Sequence, residues 1–247
     1  LDRIKRNHDL GNLIDRLPEF KENDHYGGPT ILNYEIVGDI NPCTLLYICN
    51  ALDIKQMLGT FRPKKIVEIG GGFGGLCKTL SVLYDFEEYV LVDLPDVLAL
   101  CKKYLDLFPN ISKRIKYISC NDVDALSKID NIGLCIAISS LAECDLQTQR
   151  MYSDNILMNS IFGFVLYNTV HTKSGESEFA VLYAEWKEKF HTDIEIPWGK
   201  IKYVRLKSKK IFNEGFRKHL LRDFVNMKNT VMTRSVNALK RLVRFPK

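Results

Sequence analysis

Between Arg62-Pro63 and about Leu206 short apolar runs alternate with amphipathic segments, the pattern of repeated βαβ units around a parallel sheet. Lys65-Ile66-Val67-Glu68-Ile69 reads as the first strand, followed by a helix through Leu76, Leu80 and Leu83. Next come a strand at Tyr89–Asp93, a helix from Pro95 to about Leu107, and a strand at Ile115–Ser119. A fourth strand, Ile132–Ile138, leads into a polar helix over Leu146–Asn159, and a fifth, Phe162–Asn168, into a helix over Glu178–Phe190. Two extended runs, Asp193–Ile196 and Ile201–Leu206, are expected to close the sheet as an edge hairpin.

Before this series, Leu1 to Gly59 is mostly helical in pattern, with turn chemistry at Asp24-His25-Tyr26-Gly27-Gly28-Pro29. Asn41-Pro42 opens a helix there, with Asn41 as N-cap and Leu45, Leu46, Ile48, Cys49 and Leu52 on its apolar side. After Lys207, Phe224, Val231, Leu239 and Leu242 recur among many Lys and Arg, which reads as a basic amphipathic helical tail. The divisions are therefore 1–60, an N-terminal helical segment on the substrate side; 61–206, the α/β core; and 207–247, the basic extension.

A hydrophobic fraction of 46% over 247 residues is that of a folded soluble chain. The seven cysteines are scattered without a Cys-x-x-Cys pair, so neither a disulfide framework nor a zinc module is indicated, and a reducing, cytoplasmic setting is expected. No apolar run reaches the roughly 18–20 residues of a membrane span. A chain that starts at Leu1 rather than Met is expected to be a piece of a longer protein. The net charge of +5 conceals an asymmetry: Lys200–Lys247 holds 15 Lys and Arg against Glu214 and Asp223, whereas the preceding 199 residues hold 20 basic and 28 acidic side chains. The tail is expected to pack on the body or on a neighbouring domain, or to meet an anionic membrane surface.

Five of the 15 glycines fall between Gly70 and Gly75, directly after the first strand. A strand that ends in glycines and turns into a helix lets backbone N–H groups approach a ligand closely. Gly70, Gly72 and Gly75 satisfy a dinucleotide fingerprint, with Asp93 as the acid about 20 residues later. Glu68, Gly70, Gly72 and Gly74 satisfy a second register, Glu-x-Gly-x-Gly-x-Gly, that of class I S-adenosylmethionine-dependent methyltransferases. The carboxylate favours the second, since it would repel a pyrophosphate and attract the ammonium and sulfonium of S-adenosylmethionine. Asp93 is placed to accept from both ribose hydroxyls, with Leu94 beside it; its alternative role is to cap the helix opening at Pro95. Asn121 and Asp122 occupy the loop where the adenine amino group is usually met.

The run Glu68–Gly75, with Tyr89-Val90-Leu91-Val92-Asp93-Leu94-Pro95-Asp96-Val97-Leu98-Ala99-Leu100, resembles the sugar O-methyltransferase family. The likeness continues through Ser119–Leu126 and Ser139-Ser140-Leu141-Ala142-Glu143 and covers about residues 20–200. It implies a Rossmann-like class I methyltransferase with a mostly parallel seven-stranded sheet, S-adenosylmethionine as cofactor, and a sugar hydroxyl in a glycan as acceptor. Such domains also occur fused to glycosyltransferases, in bacteria and large DNA viruses. Ser139 falls with the cofactor residues, and Glu143 matches the family's acid at the end of the fourth strand.

A sugar hydroxyl needs a base to take its proton as it reacts. Glu143 is the first choice for base or for orienting the sugar, and its alternative role is that of an acid at a helix N-terminus. His171, after the fifth strand, is the second choice; Asp145, Asn168 and Thr172 lie nearby, and Asp24, His25 and Tyr26 are candidates to line the sugar site. The fifth strand ends without paired acids, so metal-independent transfer is expected. No nucleic-acid partner is expected, because the fourth strand lacks the Pro-Pro-aromatic ending that holds a flipped base. The alternatives are methylation of a small non-sugar hydroxyl compound and an NAD-binding oxidoreductase or binding module.

Overall fold

A computed structural model describes residues 10–168, 175–198 and 201–209. His171, Thr172 and the basic segment beyond Lys209 lie outside the described residues. Leu1–Lys207 forms one compact unit.

Two short helices, α1 (Leu10–Asp15) and α2 (Leu17–Lys21), run into a 3-10 turn at Glu22–His25. A small antiparallel hairpin follows, β1 (Leu32–Tyr34) with β2 (Gly38–Ile40), and then α3 (Pro42–Leu58). The pattern of residues 1–59 predicts no strand, and the difference has a physical source. Each strand has only three residues, too few for a period to show, and the turn between them relies on Gly38 at φ +66° rather than on an Asn-Gly pair.

The series continues with β3 (Lys65–Ile69), α4 (Gly75–Leu83), β4 (Glu88–Asp93), α5 (Pro95–Leu105), α6 (Pro109–Ser112), β5 (Ile115–Ser119) and α7 (Val123–Ser127). Then come β6 (Ile132–Ile138), a 3-10 turn at Leu141–Glu143, α8 (Leu146–Asn155), a second turn at Leu157–Asn159, β7 (Ser160–Asn168), α9 (Gly175–Lys189), β8 (Phe190–Trp198) and β9 (Ile201–Ser208). The polar helix stops at Asn155 rather than Asn159 because amide side chains take its last carbonyls: Asn155 donates to Met151 O, and Asn159 to Asp154 O and Asn155 O.

The seven strands stand in the order β5-β4-β3-β6-β7-β9-β8. Five are parallel, and β9 runs antiparallel to β7 at the expected closing edge. Chain order reverses direction between β3 and β6, so the crevice beyond their C-terminal ends is the topological switch point, where α/β sheets bind ligands.

Strands β3, β4 and β6 are buried almost throughout, because helices cover both faces. On one face Ile66, Leu134, Ile136 and Phe164 pack with Leu76 and Leu80 of α4, Leu98 of α5, and Ala51 and Ile54 of α3. On the other, Val67, Val90, Cys135 and Val165 pack with Leu126, Ile156, Leu182 and Trp186. Side chains alternate between these faces, so Glu68 shares the side of Ile66 and is directed toward α4 and α5.

A third cluster, with Leu13, Leu17, Phe20, Val37, Ile40, Leu45, Ile48 and Val82, seats the N-terminal helices and the hairpin on the outer side of α3. The buried side chain of Asn23 locks this layer to the α/β core. It donates to Gly75 O (3.2 Å) and Thr79 Oγ1 (3.1 Å), and accepts from the Tyr104 hydroxyl. Lys78 adds an ion pair to Glu22 (2.5 Å) and stands over the Phe108 ring.

As expected, Asn41 is the N-cap of α3, accepting from the N–H groups of Cys43 (2.7 Å) and Thr44 (3.3 Å). Its amide also donates to Thr30 O, which tethers the hairpin. Replacing Asn41 with Ala therefore removes a cap and a tether, and is expected to lower unfolding stability by about 1–2 kcal/mol, measured as a reduced urea midpoint at unchanged slope.

Candidate functional site

The candidate site lies at the C-terminal edge of β3, β4, β5 and β6, where four loops meet. Gly70 opens the first loop at φ +78°, and a Cβ there would lie 2.3 Å from Ser140 Cβ. A Cβ at Gly71 would meet Leu91, one at Gly74 would meet Cys101, and one at Gly75 would meet Tyr47. These four glycines let the protein pack against its own loop. Gly72 differs: it holds φ +53° with nothing within 4 Å of its Cβ position, so its bare backbone faces open space. Gly74 is the left-handed N-cap residue of α4, and no side chain caps that helix.

Hydrogen bonds between strand ends hold the loops in place. Gly70 N donates to Val92 O (2.8 Å), Cys120 N to Asp93 O (2.9 Å) and Ser139 N to Leu166 O (2.9 Å), while Ser140 Oγ donates to Ile69 O (2.6 Å). Ser139 adopts φ +58°, a left-handed conformation uncommon for a non-glycine residue, at the point where β6 turns into the crevice.

Asp93 spans two loops. Its Oδ2 accepts from Gly72 N (3.2 Å) and its Oδ1 from Leu94 N (2.8 Å). Leu94, not Asp93, occupies the N-cap position of α5, and no side chain caps that helix. Leu94 and Val123 are both more than half exposed and stand at the starts of the helices that follow β4 and β5. Of the two polar residues after β5, Asp122 is engaged as the N-cap of α7, accepting from Ala125 N (2.9 Å). Asn121 is exposed, and its side-chain oxygen accepts from the Cys120 thiol (3.6 Å).

Glu68 lies elsewhere than a direct contact with a cationic ligand would require. It is 3% exposed, beneath the loop, with Oε2 3.7 Å from the Cβ position of Gly71. The Tyr89 hydroxyl donates to it at 2.7 Å. Burial pushes the Glu68 carboxyl up to about 7; the Tyr89 bond opposes the shift and the Asp93 charge adds to it. Tyr89 is a site residue missed in the sequence, although a tyrosine in an otherwise aliphatic strand is a visible signal.

The carboxylates after β6 divide their roles. Asp145 caps α8, accepting from Thr148 N (2.9 Å) and Thr148 Oγ1 (3.2 Å), bonds that hold its carboxyl below the ordinary value. Glu143 does no capping: it is exposed in the 3-10 turn, and its carboxylate has no hydrogen bond or ion pair among the described residues. The buried Gln149 fixes the turn by donating to Cys144 O (2.8 Å) while accepting from Tyr167 (2.6 Å).

On the N-terminal side, Asp24 is consumed by α3, accepting from Asn41 N (3.0 Å) and Thr44 Oγ1 (2.6 Å). Tyr26 packs edge-on against Tyr104 and Phe108, and His25 is exposed. Of the residues proposed for the sugar site, Asp24 and Tyr26 therefore already have structural roles. Among the described residues no three His, Cys, Asp or Glu side chains gather as a metal-binding group, and no helix is long and apolar enough to cross a membrane.

No protein-family model matches the chain, and no curated protein matches it in sequence. Solved structures do match. The PH0226 protein of Pyrococcus horikoshii OT3 is similar at a TM-score of 0.52 and 15% identity, over 68% of this chain and 93% of that one. The methyltransferase domain of bacterial CtHen1-C is similar at a TM-score of 0.50 and 18% identity, over 64% of this chain and 96% of that one. An O-methyltransferase family protein from Burkholderia thailandensis aligns at a TM-score of 0.48 and 9% identity, over 65% of this chain and 57% of its own length, so this chain spans little more than half of that protein. The fold is the Rossmann-like class I methyltransferase fold.

The raised Glu68 carboxyl makes a stability prediction. The folded protein keeps a proton that the unfolded chain releases near 4.5, so stability is full below that pH and is lost as pH rises toward 7. In Glu68→Gln this loss is absent. The variant is expected to gain up to about 3 kcal/mol on the wild type between pH 4.5 and 8, read from paired urea melts of the ligand-free proteins.

Proposed function

We propose that this chain is an S-adenosylmethionine-dependent O-methyltransferase acting on a hydroxyl of a sugar residue in a glycan. The observation that carries the reading is the cradle at Gly72: open backbone in a left-handed conformation, bonded to the Asp93 carboxylate, with a second carboxylate, Glu68, beneath the loop. Two acids suit a cationic nucleoside and oppose a pyrophosphate, which ranks NAD below S-adenosylmethionine. The sugar is read from the likeness of Glu68–Leu100 and Ser139–Glu143 to sugar O-methyltransferases.

The residues present fit such a cofactor. Gly72 offers the open backbone of the cradle, and Gly70 and Gly74 shape it by packing against Ser140 and Cys101; Asp93 accepts from ribose hydroxyls; Leu94 and Asn121 line the base side; and Ser139 shapes the crevice floor. Asp122 supports that loop as a helix cap. S-adenosylmethionine supplies a methyl group activated by its sulfonium charge. The chain then has to position the acceptor and exclude water, since the donor carries its own driving force. Glu143 holds the acceptor hydroxyl and takes its proton, a role left open to it because Asp145 does the capping. His171 is the second choice for that proton, and no metal is required by this scheme.

Calorimetric titration with S-adenosylhomocysteine and with NAD tests the cofactor: the first is expected to bind, and binding of NAD alone would remove the reading. Gly72→Ala is expected to cost no more than about 2 kcal/mol of stability, the cost of a left-handed alanine, while weakening S-adenosylhomocysteine at least about tenfold. Glu143→Gln is expected to keep cofactor affinity and to lose about 10²–10⁴ of methyl transfer from labelled S-adenosylmethionine to a glycan panel. Unchanged transfer would take Glu143 out of the mechanism.

A further inference from the structure

Glu68 has features that a structural carboxylate does not need. It is an acid in a buried strand, 3% exposed, with a single hydrogen bond, from Tyr89, among the described residues. Among the described residues no cation pairs with it. The groups that face it are Tyr89 and Asp93 from β4, Tyr47 from α3, Cys77 from α4 and Cys101 from α5. Tyr47, Tyr89, Cys77 and Cys101 are pushed up, first by burial and then by the Glu68 charge, so they stay neutral across the physiological range. A buried acid with a single hydrogen bond is costly when ionised, and a glutamine of the same shape would keep the Tyr89 bond without that cost.

What lies above the carboxylate gives the cost a purpose. Oε2 is 3.7 Å from the Cβ position of Gly71, and the neighbouring Gly72 offers open backbone to a ligand. The acid therefore lies directly under the backbone of Gly71, one residue before the open backbone of Gly72. Resting on the cofactor reading above, the two ligands of the reaction differ there by one charge: the methyl donor is a sulfonium cation, and the product after transfer is a neutral thioether.

We infer that Glu68 is a specificity-determining residue that distinguishes the methyl donor from its demethylated product by charge. When the sulfonium occupies the loop, the Glu68 carboxyl gives its proton to solvent and the resulting carboxylate attracts the cation. When the thioether occupies it, the proton returns and the attraction is absent. The product is thereby released more readily than the donor at the pH where Glu68 can ionise. Burial sharpens the effect, because a buried carboxylate is screened less by water and salt than an exposed one.

The test is calorimetry of S-adenosylmethionine and S-adenosylhomocysteine binding at pH 5.5 and pH 8, on the wild type and on Glu68→Gln. In the wild type the preference for the donor over the product is expected to rise about tenfold between the two pH values, equivalent to a one-unit change in the carboxyl. In Glu68→Gln the preference is expected to stay within about twofold. Titrating the wild type at pH 7 in buffers of different ionisation enthalpy provides a variant-free readout: donor binding is expected to release more protons than product binding. A pH-independent preference in the wild type, an equal rise in Glu68→Gln, or equal proton release by both ligands would each overturn the inference while leaving the cofactor reading intact. Failure of both ligands to bind the wild type would overturn the cofactor reading, and this inference with it.

Discussion

The contact between Gly70 and Ser140 sets the geometry of the crevice. Ser140 Cβ stands where a side chain on Gly70 would be, and its hydroxyl bonds to Ile69 O, so the ends of β3 and β6 are drawn together at the point where strand order reverses. Gly70 N in turn reaches Val92 O on the opposite neighbour. Three strand ends thus meet through one residue without a Cβ. The left-handed Ser139 follows from the same constraint, because β6 must turn sharply to place Ser140 over the loop.

Around that contact the acids fall into distinct environments. Asp122 and Asp145 complete helices, Asp93 spans two loops, Glu68 lies under the glycines, and Glu143 stands exposed in its turn. The three aspartates are held by backbone N–H groups that need partners, whereas the two glutamates are not. Asp122 and Asp145 cap the helices that follow β5 and β6, so these two acids are committed to backbone N–H groups.

The α/β core was legible because its strands are buried on both faces and its loops are short. Lys65–Ile69, Ile115–Ser119 and Ile132–Ile138 have the same ends in the structure as in the apolar pattern, and Asn41-Pro42 marks the start of α3. What could not be read depends on which partner is near. Asp145 and Glu143 are two residues apart and equally acidic in sequence; only the cap on Thr148 separates them. Strand periodicity does place Glu68 on the side of Ile66, but the depth of its burial comes from helices packed over it. The N-terminal hairpin and the Asn23 lock left no trace in the pattern, since three-residue strands and one buried amide carry no period.

The Asn23 lock also bears on how the protein folds. Its hydrogen bonds join residues 52, 56 and 81 positions apart, comparable to the central β3–β6 pairing of Ile66 with Leu134, whereas β3–β4, β4–β5 and β6–β7 close over far shorter stretches. Closing long loops costs more chain entropy, and contacts of large sequence separation slow folding. The two halves of the parallel sheet, β3-β4-β5 and β6-β7, therefore have local routes to their structure, while the β3–β6 seam between them does not. The glycine loop is thus held from both sides by long-range contacts, Ser140 with Ile69 from β6 and Asn23 with Gly75 from the N-terminal layer, and gains its support only after distant parts of the chain have met.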